Sequence, residues 1–165
     1  MTLAEAAAQA QQLAEAGDER ALADLRRQWD DDVEAAARDP DYRVRALAFR
    51  SIAQFRYRQK LALLERGLAD QSPACRGSAL VALDSLSRDS PGVVNGVRSV
   101  LHNLVSDDPN EAVRRLAALS LKNGSAQRET IVLLSGIAGD DDQPRELRET
   151  AGKVAALLTK KSRTR

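Results

Sequence analysis

Apolar residues recur every three or four positions along most of the chain, and no stretch alternates regularly between apolar and polar residues. The first such stripe is formed by Leu3, Ala6, Ala10 and Leu13. Thr2 and Glu5 have the spacing of a capping box, and Gly17 stands where a helix would end. This pattern predicts an N-terminal capping helix within residues 1–17.

The helical spacing continues in the segments that follow. Asp18 is placed to cap a second helix, and the run of three aspartates near residue 31 indicates a break in it. Further helices are predicted near residues 58–69, 92–106 and 126–138, each followed by a shorter helix. Only five aromatic residues accompany many alanines and leucines, a composition that favours closely packed helices over a sheet. We therefore predict an all-α protein.

The shorter helices share a sequence pattern. Four segments align without gaps when each is written from an aspartate: DPDYRVRALAFRSIAQF, DQSPACRGSALVALDSL, DPNEAVRRLAALSLKNG and DQPRELRETAGKVAALL. In each segment an arginine stands six residues after the aspartate, and an alanine stands three residues after the arginine. The alanines are Ala48, Ala79, Ala117 and Ala151. One such spacing is common by chance, but four copies in phase indicate a repeat.

Each recurring residue has a physical reason to be there. An aspartate before a helix accepts hydrogen bonds from unpaired N–H groups and meets the positive end of the helix dipole. The prolines fit the first turn, where no N–H is needed. The arginine stem is expected to pack while its guanidinium finds a carboxylate, and the alanine lets neighbouring helices approach closely.

This pattern resembles the HEAT repeat, an antiparallel helix pair whose turn carries an aspartate and whose second helix carries an arginine six residues later. The resemblance covers residues 20–160. It implies a right-handed α-solenoid of about four to five HEAT-like helix pairs, forming a single domain over residues 1–165 with a basic flexible tail at 159–165. It also implies a ladder that links adjacent repeats, formed by Asp39, Arg45, Asp70, Arg76, Asp108, Arg114, Asp142 and Arg148.

Histidine and cysteine, which many catalytic and zinc sites require, occur once each. His102 is the only histidine, and its place beside the apolar stripe of its helix favours an exposed surface role. Cys75 is the only cysteine and takes an apolar position of the repeat, which indicates a buried structural thiol. Trp29 has the spacing of a core residue. One histidine and one cysteine supply neither a catalytic triad nor a zinc site.

Other ligand-binding patterns are also missing. The aspartate runs 30–32 and 140–142 lack the glycine and glutamate that an EF-hand loop requires, so helix capping is the better interpretation. No glycine-rich phosphate loop is present. The HEAT-like families include DNA alkylation-repair glycosylases and phycobilin lyases, but the sequence shows no aromatic-and-acid pocket like that of the glycosylases. We expect no enzymatic activity, no cofactor and no metal.

The second helices of a HEAT-like solenoid are expected to line its concave face. The residues predicted to bind a partner there are Arg50, Val81, Arg115, Leu119, Lys122 and Lys153. Their mixture of apolar and charged side chains suits a protein segment, whereas a polyanion would require a uniformly basic groove. The first hypothesis is therefore a non-catalytic scaffold or adaptor that binds another protein on this face.

The alternative hypothesis is nucleic-acid binding, and it rests on the segment from Tyr42 to Leu64. This segment has six basic residues, no acidic residue and three further aromatic residues, as a phosphate backbone with unstacked bases would require. The candidate residues are Arg50, Arg56, Arg58 and Lys60, together with the C-terminal tail. The opposing interpretation is that the aromatic residues belong to the core and the charges solvate a turn.

Overall charge and composition set the expected location. The net charge of +1 favours no polyanionic partner, so any electrostatic function must be local. A single cysteine excludes an internal disulfide. The N-terminus lacks a basic leader region, and the apolar runs are far too short to cross a bilayer. We expect a cytoplasmic protein that does not associate with membranes.

Overall fold

The computed structural model describes residues 1–164, and all regular structure in that part of the chain is helical, which confirms the all-α prediction. Its α-helices are α1 Leu3–Ala16, α2 Glu19–Ala36, α3 Tyr42–Gln54, α4 Leu61–Leu68, α5 Pro73–Ser87, α6 Pro91–Asn95, α7 Arg98–Asp107, α8 Glu111–Ser120, α9 Arg128–Ala138 and α10 Arg145–Arg163. Short 3-10 turns occupy Arg58–Lys60 and Leu121–Asn123. None of these helices is both long and apolar enough to cross a membrane.

The helices divide into two compact units. Unit 1 comprises Met1–Leu86 and unit 2 comprises Ser87–Arg165. Unit 1 therefore contains the first two arginine-bearing segments of the repeat, and unit 2 contains the last two.

Helix α1 forms where its sequence pattern predicts it. The Thr2 hydroxyl accepts a hydrogen bond from the Glu5 N–H at 3.2 Å, and the Glu5 carboxylate accepts one from the Thr2 N–H at 2.7 Å, which completes the capping box. Gly17 ends the helix at a φ of 74°, a left-handed conformation that glycine adopts at little cost. Three buried alanines, Ala6, Ala7 and Ala10, allow α1 to lie close against α2 and α3.

Helix α2 is continuous, so the predicted break near residue 31 is wrong. The Asp18 carboxylate caps the first turn by accepting a hydrogen bond from the Ala21 N–H at 3.1 Å. The aspartates at 30–32 are exposed to solvent, while the adjacent Val33 is fully buried. Hydrated aspartates on an outward face do not interrupt a helix whose opposite face is packed.

The core of unit 1 surrounds the aromatic residues of α3 and of the turn that follows it. Phe49, Phe55 and Tyr57 are completely buried, as is Ala79 of α5. A Cβ placed on Gly67 of α4 would lie 2.8 Å from the Ala79 Cβ and 3.0 Å from the Phe49 Cδ1. Helices α3, α4 and α5 therefore meet around Gly67 at a distance that only small residues allow.

In unit 2, α8 contacts both α7 and α10, and α10 also contacts α9. The recurring alanines Ala117 and Ala151 are completely buried in these contacts. The single helix predicted near 92–106 is instead two helices, α6 and α7, separated by Gly96 and Val97. Val97 has a φ of −121° and a ψ of 16°, which lies outside the helical region, and the glycine beside it weakens a continuous helix.

The segment predicted as a flexible tail belongs to α10 as far as Arg163, and Arg165 lies outside the described residues. Lys161 anchors the last turns of this helix, because its Nζ donates a hydrogen bond to the Gly124 carbonyl oxygen at 3.0 Å. This long-range contact could not be anticipated from the local run of basic residues, which alone would favour a frayed end.

Candidate functional site

The recurring aspartates close the turns that precede α3, α5 and α8. Each Oδ1 accepts a hydrogen bond from the N–H two residues later, at 2.8 Å for Asp39, 2.9 Å for Asp70 and 2.8 Å for Asp108. This is the Asx turn, in which a side chain imitates a backbone turn. Asp41 and Asn110 cap α3 and α8 by accepting hydrogen bonds from first-turn N–H groups. The recurring aspartates therefore shape the turn, and other residues cap the helix.

Arg45 joins two of these turns within unit 1. Its Nη1 donates to the carbonyl oxygens of Asp39 and Pro40, both at 3.0 Å. Its Nε and Nη2 each donate to one carboxylate oxygen of Asp70 at 2.9 Å, the bidentate geometry of a strong arginine–carboxylate pair. The Arg45 and Asp70 side chains are only 18% and 9% exposed. The hydrogen bonds from Arg45 stabilise the charged carboxylate and so lower the pKa of Asp70.

Arg76 makes the same contacts with its own turn. Its Nη1 donates to the carbonyl oxygens of Asp70 at 2.9 Å and Gln71 at 3.2 Å. Arg45 and Arg76 therefore both donate to the carbonyl oxygens six and five residues before them. A spacing of six residues is just under two helical turns, which lets the long side chain reach back to the start of its helix.

In unit 2 the fourth turn is built differently, although α10 begins three residues after Asp142, as the earlier helices begin three residues after their aspartates. The Asx turn is made by Asp140, whose Oδ1 accepts a hydrogen bond from the Asp142 N–H at 3.0 Å. Arg114 donates from Nη2 to the Gln143 Oε1 and from Nε to the Val105 carbonyl oxygen, both at 2.8 Å. Asp142 therefore does not have the ladder position predicted for it, because Arg114 donates to the neutral amide of Gln143 instead.

The run of three aspartates explains this difference. Any of the three could begin an Asx turn, and an alignment without gaps selects the one six residues before Arg148. Arg148 itself donates from Nη2 to the Asp141 Oδ1 at 3.0 Å, and the Asp141 side chain is 94% exposed. A pair so exposed to water contributes little to stability.

A groove between α8 and α10 in unit 2 brings together four of the six residues predicted to bind a partner. Its volume is about 430 Å³. The predicted residues that line it are Arg115, Leu119, Lys122 and Lys153, and the others are Glu146, Glu149, Thr150, Val154 and Leu157. Leu119 is half-buried and Leu157 is 55% exposed, so the groove offers apolar contact area. The remaining two predicted residues, Arg50 and Val81, are exposed on α3 and α5 of unit 1.

The charges of the groove are only partly compensated. Arg115 Nη1 lies 3.7 Å from Glu146 Oε2 in an exposed ion pair between the two helices. Glu149 accepts a hydrogen bond from Arg145 at 3.0 Å. Within residues 1–164, Lys153 has no carboxylate at ion-pair distance. Glu146 and Glu149 thus each contact an arginine, whereas Lys153 is not paired with an acid in this part of the chain. This imbalance favours a ligand with acidic groups.

The groove continues as a second depression of about 490 Å³ along the same two helices. Arg115 and Glu146 line both depressions, so their ion pair stands between them. Leu116, which is half-buried, supplies apolar surface to the second one. Together the depressions form an elongated surface, as a helix or an extended peptide segment would require.

Lys60 is not available to a nucleic acid, contrary to the sequence prediction. It is 6% exposed, its Nζ donates to Glu34 Oε1 at 2.8 Å and also pairs with Asp30, and it lies 5.1 Å from the centre of the Tyr57 ring. Burial disfavours the charged amine, but the hydrogen bonds to Asp30 and Glu34 outweigh it and raise the pKa of Lys60. Phe55 and Tyr57 are completely buried, so neither ring can stack on a base.

The other residues of the nucleic-acid hypothesis are more accessible. Arg50 and Arg58 are exposed, and Arg56 is half-buried. Arg56 and Arg58 line a cleft of unit 1 that also includes Arg26 of α2, a residue outside the repeat pattern. Arg50 does not line this cleft. The four candidate residues therefore comprise a buried, paired lysine, an exposed arginine outside the cleft and two arginines that line it.

His102 is half-buried, whereas its sequence position predicted an exposed residue. Its Nε2 lies 2.9 Å from the Thr130 hydroxyl oxygen, which also accepts a hydrogen bond from Arg98 Nη1 at 2.7 Å. Burial lowers the pKa of His102 and the charge of Arg98 adds to this effect, although Glu129 acts in the opposite direction. The imidazole is therefore neutral near pH 7 and contributes to a polar network in the core of unit 2.

Cys75 is completely buried, which confirms its prediction, and its Sγ donates to the Tyr42 carbonyl oxygen at 3.2 Å. Burial raises the pKa of this thiol, which disfavours the reactive thiolate. Trp29 is half-buried. No group of three or more histidine, cysteine, aspartate or glutamate side chains able to hold a metal ion occurs in residues 1–164.

Three residues of these surfaces were missed in the sequence. Leu157 lies about one helical turn after Lys153, the last residue predicted for the concave face, and its apolar character at that spacing is the signal that the sequence offers. Gln143 was hidden by the aspartate run before it. Arg26 gave no signal, because it lies in a first helix whereas the prediction concerned the second helices.

Comparison with known proteins assigns no family to this chain. No protein-family model matches its sequence, and no curated protein matches it significantly. The function is therefore inferred from the geometry of its surfaces.

Proposed function

We propose that this chain is a non-catalytic HEAT-like scaffold or adaptor that holds a segment of a protein partner in the groove between α8 and α10. The HEAT-like part of the proposal is supported by the Asx turns at Asp39, Asp70 and Asp108. It is also supported by the bidentate contact between Arg45 and Asp70, which joins two consecutive turns.

The observation that carries the proposal is the convergence of Arg115, Leu119, Lys122 and Lys153 on one groove. Their positions in the repeat predict a partner-binding face, and the groove sets them beside the apolar surface of Leu119 and Leu157. An apolar strip bordered by charged side chains has the anatomy of a protein interface. Binding would then depend on a match of shape, strengthened by local charge.

The chemistry of the groove indicates what the partner segment contains. Apolar side chains of the segment would cover Leu157, since leaving it exposed forgoes the free energy of burying its surface. Acidic side chains would meet Lys153, which lacks a carboxylate partner within residues 1–164. Arg115 can exchange Glu146 for a partner carboxylate at little cost, because an exposed pair at 3.7 Å is weak. We therefore expect an amphipathic segment with acidic residues.

Affinity capture from a native lysate of the source organism tests the apolar part of this proposal. The groove variant is Leu157→Asp, and the matched control is Val132→Asp, which places the same carboxylate on α9 at a residue that is 60% exposed and outside the groove. Circular dichroism verifies that both variants fold. We expect a partner that is retained by the wild-type protein and by the control but is lost from Leu157→Asp. A partner retained equally by both variants would place the binding surface elsewhere.

A titration with the labelled segment of the captured partner then tests the charge. Lys153→Glu should weaken binding by about tenfold or more, because it replaces an attraction with a repulsion inside the groove. Lys160→Glu is the control, since Lys160 is exposed on the same helix but does not line the groove. Equal losses in the two variants would indicate a general charge effect and contradict a groove-specific contact.

A further inference from the structure

A cleft in unit 1 concentrates positive charge apart from the groove. It lies beside the end of α3, has a volume of about 510 Å³ and is lined by Ala14, Glu19, Arg26, Arg56, Arg58 and Gln59. Three of these six side chains are arginines and one is a glutamate, so the cleft carries a net charge of about +2. Its volume falls within the range of small-molecule sites.

The backbone of Arg56 is unusual. Its φ of 58° is the only positive φ of a non-glycine residue among residues 1–164. Arg56 follows the end of α3, where its N–H donates to the Ala53 carbonyl and the Tyr57 N–H donates to the Ile52 carbonyl, both at 3.0 Å. This is the Schellman arrangement, which normally places a glycine at this position.

The same arrangement at the end of α1 does use a glycine. Gly17 has a φ of 74°, its N–H donates to the Ala14 carbonyl at 3.2 Å, and the Asp18 N–H donates to the Leu13 carbonyl at 2.9 Å. An arginine in the left-handed region costs backbone energy that glycine avoids. Backbone strain of this kind concentrates at functional sites, and here it is located in the cleft that contains two other arginines.

Arg26 is held in place at the side of this cleft. Its Nη1 donates to the carbonyl oxygens of Phe55 at 3.2 Å and Arg56 at 3.4 Å, and its own carbonyl oxygen accepts a hydrogen bond from the Tyr57 hydroxyl. In residues 1–164 no carboxylate lies within ion-pair distance of Arg26 or Arg56, although Glu19 lines the same cleft. Backbone carbonyl oxygens thus hold the guanidinium groups of Arg26 and Arg56, since Arg56 Nη1 also donates to the Ala53 carbonyl, and no acid within residues 1–164 pairs with either of the two.

We infer that this cleft binds a small molecule that carries a diphosphate group, with Arg26, Arg56 and Arg58 as the phosphate-binding residues. Guanidinium groups bind phosphate oxygens through paired N–H donors, and a diphosphate ester of about −2 to −3 charge balances the net charge of the cleft. Phe55 and Tyr57 are completely buried, so no exposed ring beside the cleft can stack on unpaired bases. A nucleic-acid strand therefore fits these residues less well than a free diphosphate compound.

Isothermal titration with inorganic pyrophosphate tests this site, at about 50 and 200 mM salt. The decisive variant is Arg56→Gly, because glycine relieves the left-handed backbone while it removes the guanidinium. We expect this variant to melt at a higher temperature than the wild-type protein and yet to bind pyrophosphate at least about tenfold more weakly. Arg58→Gln should also weaken binding, and Arg50→Gln, an exposed arginine outside the cleft, should not.

Three results would overturn the inference. The first is the absence of measurable pyrophosphate binding by the wild-type protein at the lower salt concentration. The second is an equal loss of affinity in Arg50→Gln and Arg56→Gly, which would indicate unspecific attraction of anions. The third is binding of a short single-stranded DNA without binding of pyrophosphate, which would assign the cleft to a nucleic acid. None of these results depends on the groove between α8 and α10.

Discussion

Arg45 and Asp70 are 25 residues apart in the sequence, and they meet through two hydrogen bonds of 2.9 Å. The same guanidinium also holds the carbonyl oxygens of Asp39 and Pro40. One side chain therefore joins the turn before α3 to the turn before α5. Since both members of the pair are largely shielded from water, this contact differs in strength from the exposed ion pairs of unit 1.

Replacing Arg45 by alanine should destabilise the protein by about 3 kcal/mol, because the Asp70 carboxylate is left largely buried without its partner. Arg43→Ala is the control, since the Arg43 side chain is 77% exposed in its pair with Asp41. This control should change the free energy of unfolding by less than about 0.5 kcal/mol. Urea unfolding followed by circular dichroism measures both values. Similar losses in the two variants would mean that burial gives the Arg45 pair no special strength.

The same pair should make stability depend on acid pH. Arg45 lowers the pKa of Asp70 in the folded protein, so folding is favoured when the carboxylate is charged. This contribution is fully present above the unfolded pKa of about 4 and is lost as the pH falls through the lower folded pKa. Urea midpoints measured between about pH 7 and pH 3 should therefore fall less steeply for Asp70→Asn than for the wild-type protein. Parallel curves for the two proteins would contradict the lowered pKa.

Arg114 should contribute less to the free energy of unfolding than Arg45 does, because the partners of Arg114 are neutral. Arg114→Ala removes hydrogen bonds to the Gln143 side chain and the Val105 carbonyl, at an expected cost of about 1–2 kcal/mol. Gln143→Met removes the acceptor of Arg114 together with the Nε2 donor to Asp140, and should lower the free energy of unfolding by a similar amount. Urea unfolding of both variants tests this expectation. A loss in Arg114→Ala as large as in Arg45→Ala would indicate that charge is not what distinguishes the two arginines.

The sequence predicted the parts of this fold that depend on local chemistry. The capping box of α1 and the burial of the recurring alanines follow from residue type and spacing alone, because caps and helix faces are formed by residues close in sequence. Arg45 and Asp70 were assigned to one ladder because their repeats are in phase. In the fourth repeat the predicted phase agrees with the start of α10, but only the hydrogen bond to Asp140 shows that this residue, and not Asp142, makes the Asx turn.

The candidate sites were harder to predict because exposure is a property of the tertiary structure. Lys60 belongs to a basic run in the sequence, yet α2 supplies Asp30 and Glu34 to neutralise it. The groove between α8 and α10 was partly anticipated from the repeat positions, but Leu157 lies one helical turn beyond Lys153, the last of them. Arg26 could not be associated with Arg56 without the contact between a helix and a turn distant in sequence.

Gly67 should not tolerate a side chain. Its Cβ would lie 2.8 Å from the Ala79 Cβ, and neither atom can rotate away, so Gly67→Ala should cost about 1–3 kcal/mol through overpacking. Gly136→Ala is the matched control, because no atom lies within 4 Å of a Cβ built there, in the last turn of α9. This control should stabilise the protein by about 0.5–1 kcal/mol, the usual gain in helix propensity. Thermal unfolding should show opposite shifts, and a stabilised Gly67→Ala would contradict the close packing of α4 on α5.

His102 should make unit 2 sensitive to mildly acid pH. The Thr130 hydroxyl accepts from Arg98 Nη1 and can donate to Nε2 only while the imidazole is neutral there. Protonation would break that bond and place a second positive charge near the buried Arg98, whose Nε already lacks a hydrogen-bond partner. Burial lowers the folded pKa of His102, so the unfolded chain takes up a proton first as the pH falls.

The stability lost in this way should appear within a defined pH window. It is fully retained above the unfolded pKa of about 6.5 and decreases as the pH falls toward the lower folded pKa. His102→Gln cannot take up a proton, but its amide can still bond the Thr130 hydroxyl. Between about pH 7.5 and pH 5 the urea midpoint of the wild-type protein should therefore fall more than that of this variant. Equal decreases would mean that the imidazole is protonated as readily in the folded protein as in the unfolded chain, and that the bond to Thr130 does not favour the neutral form.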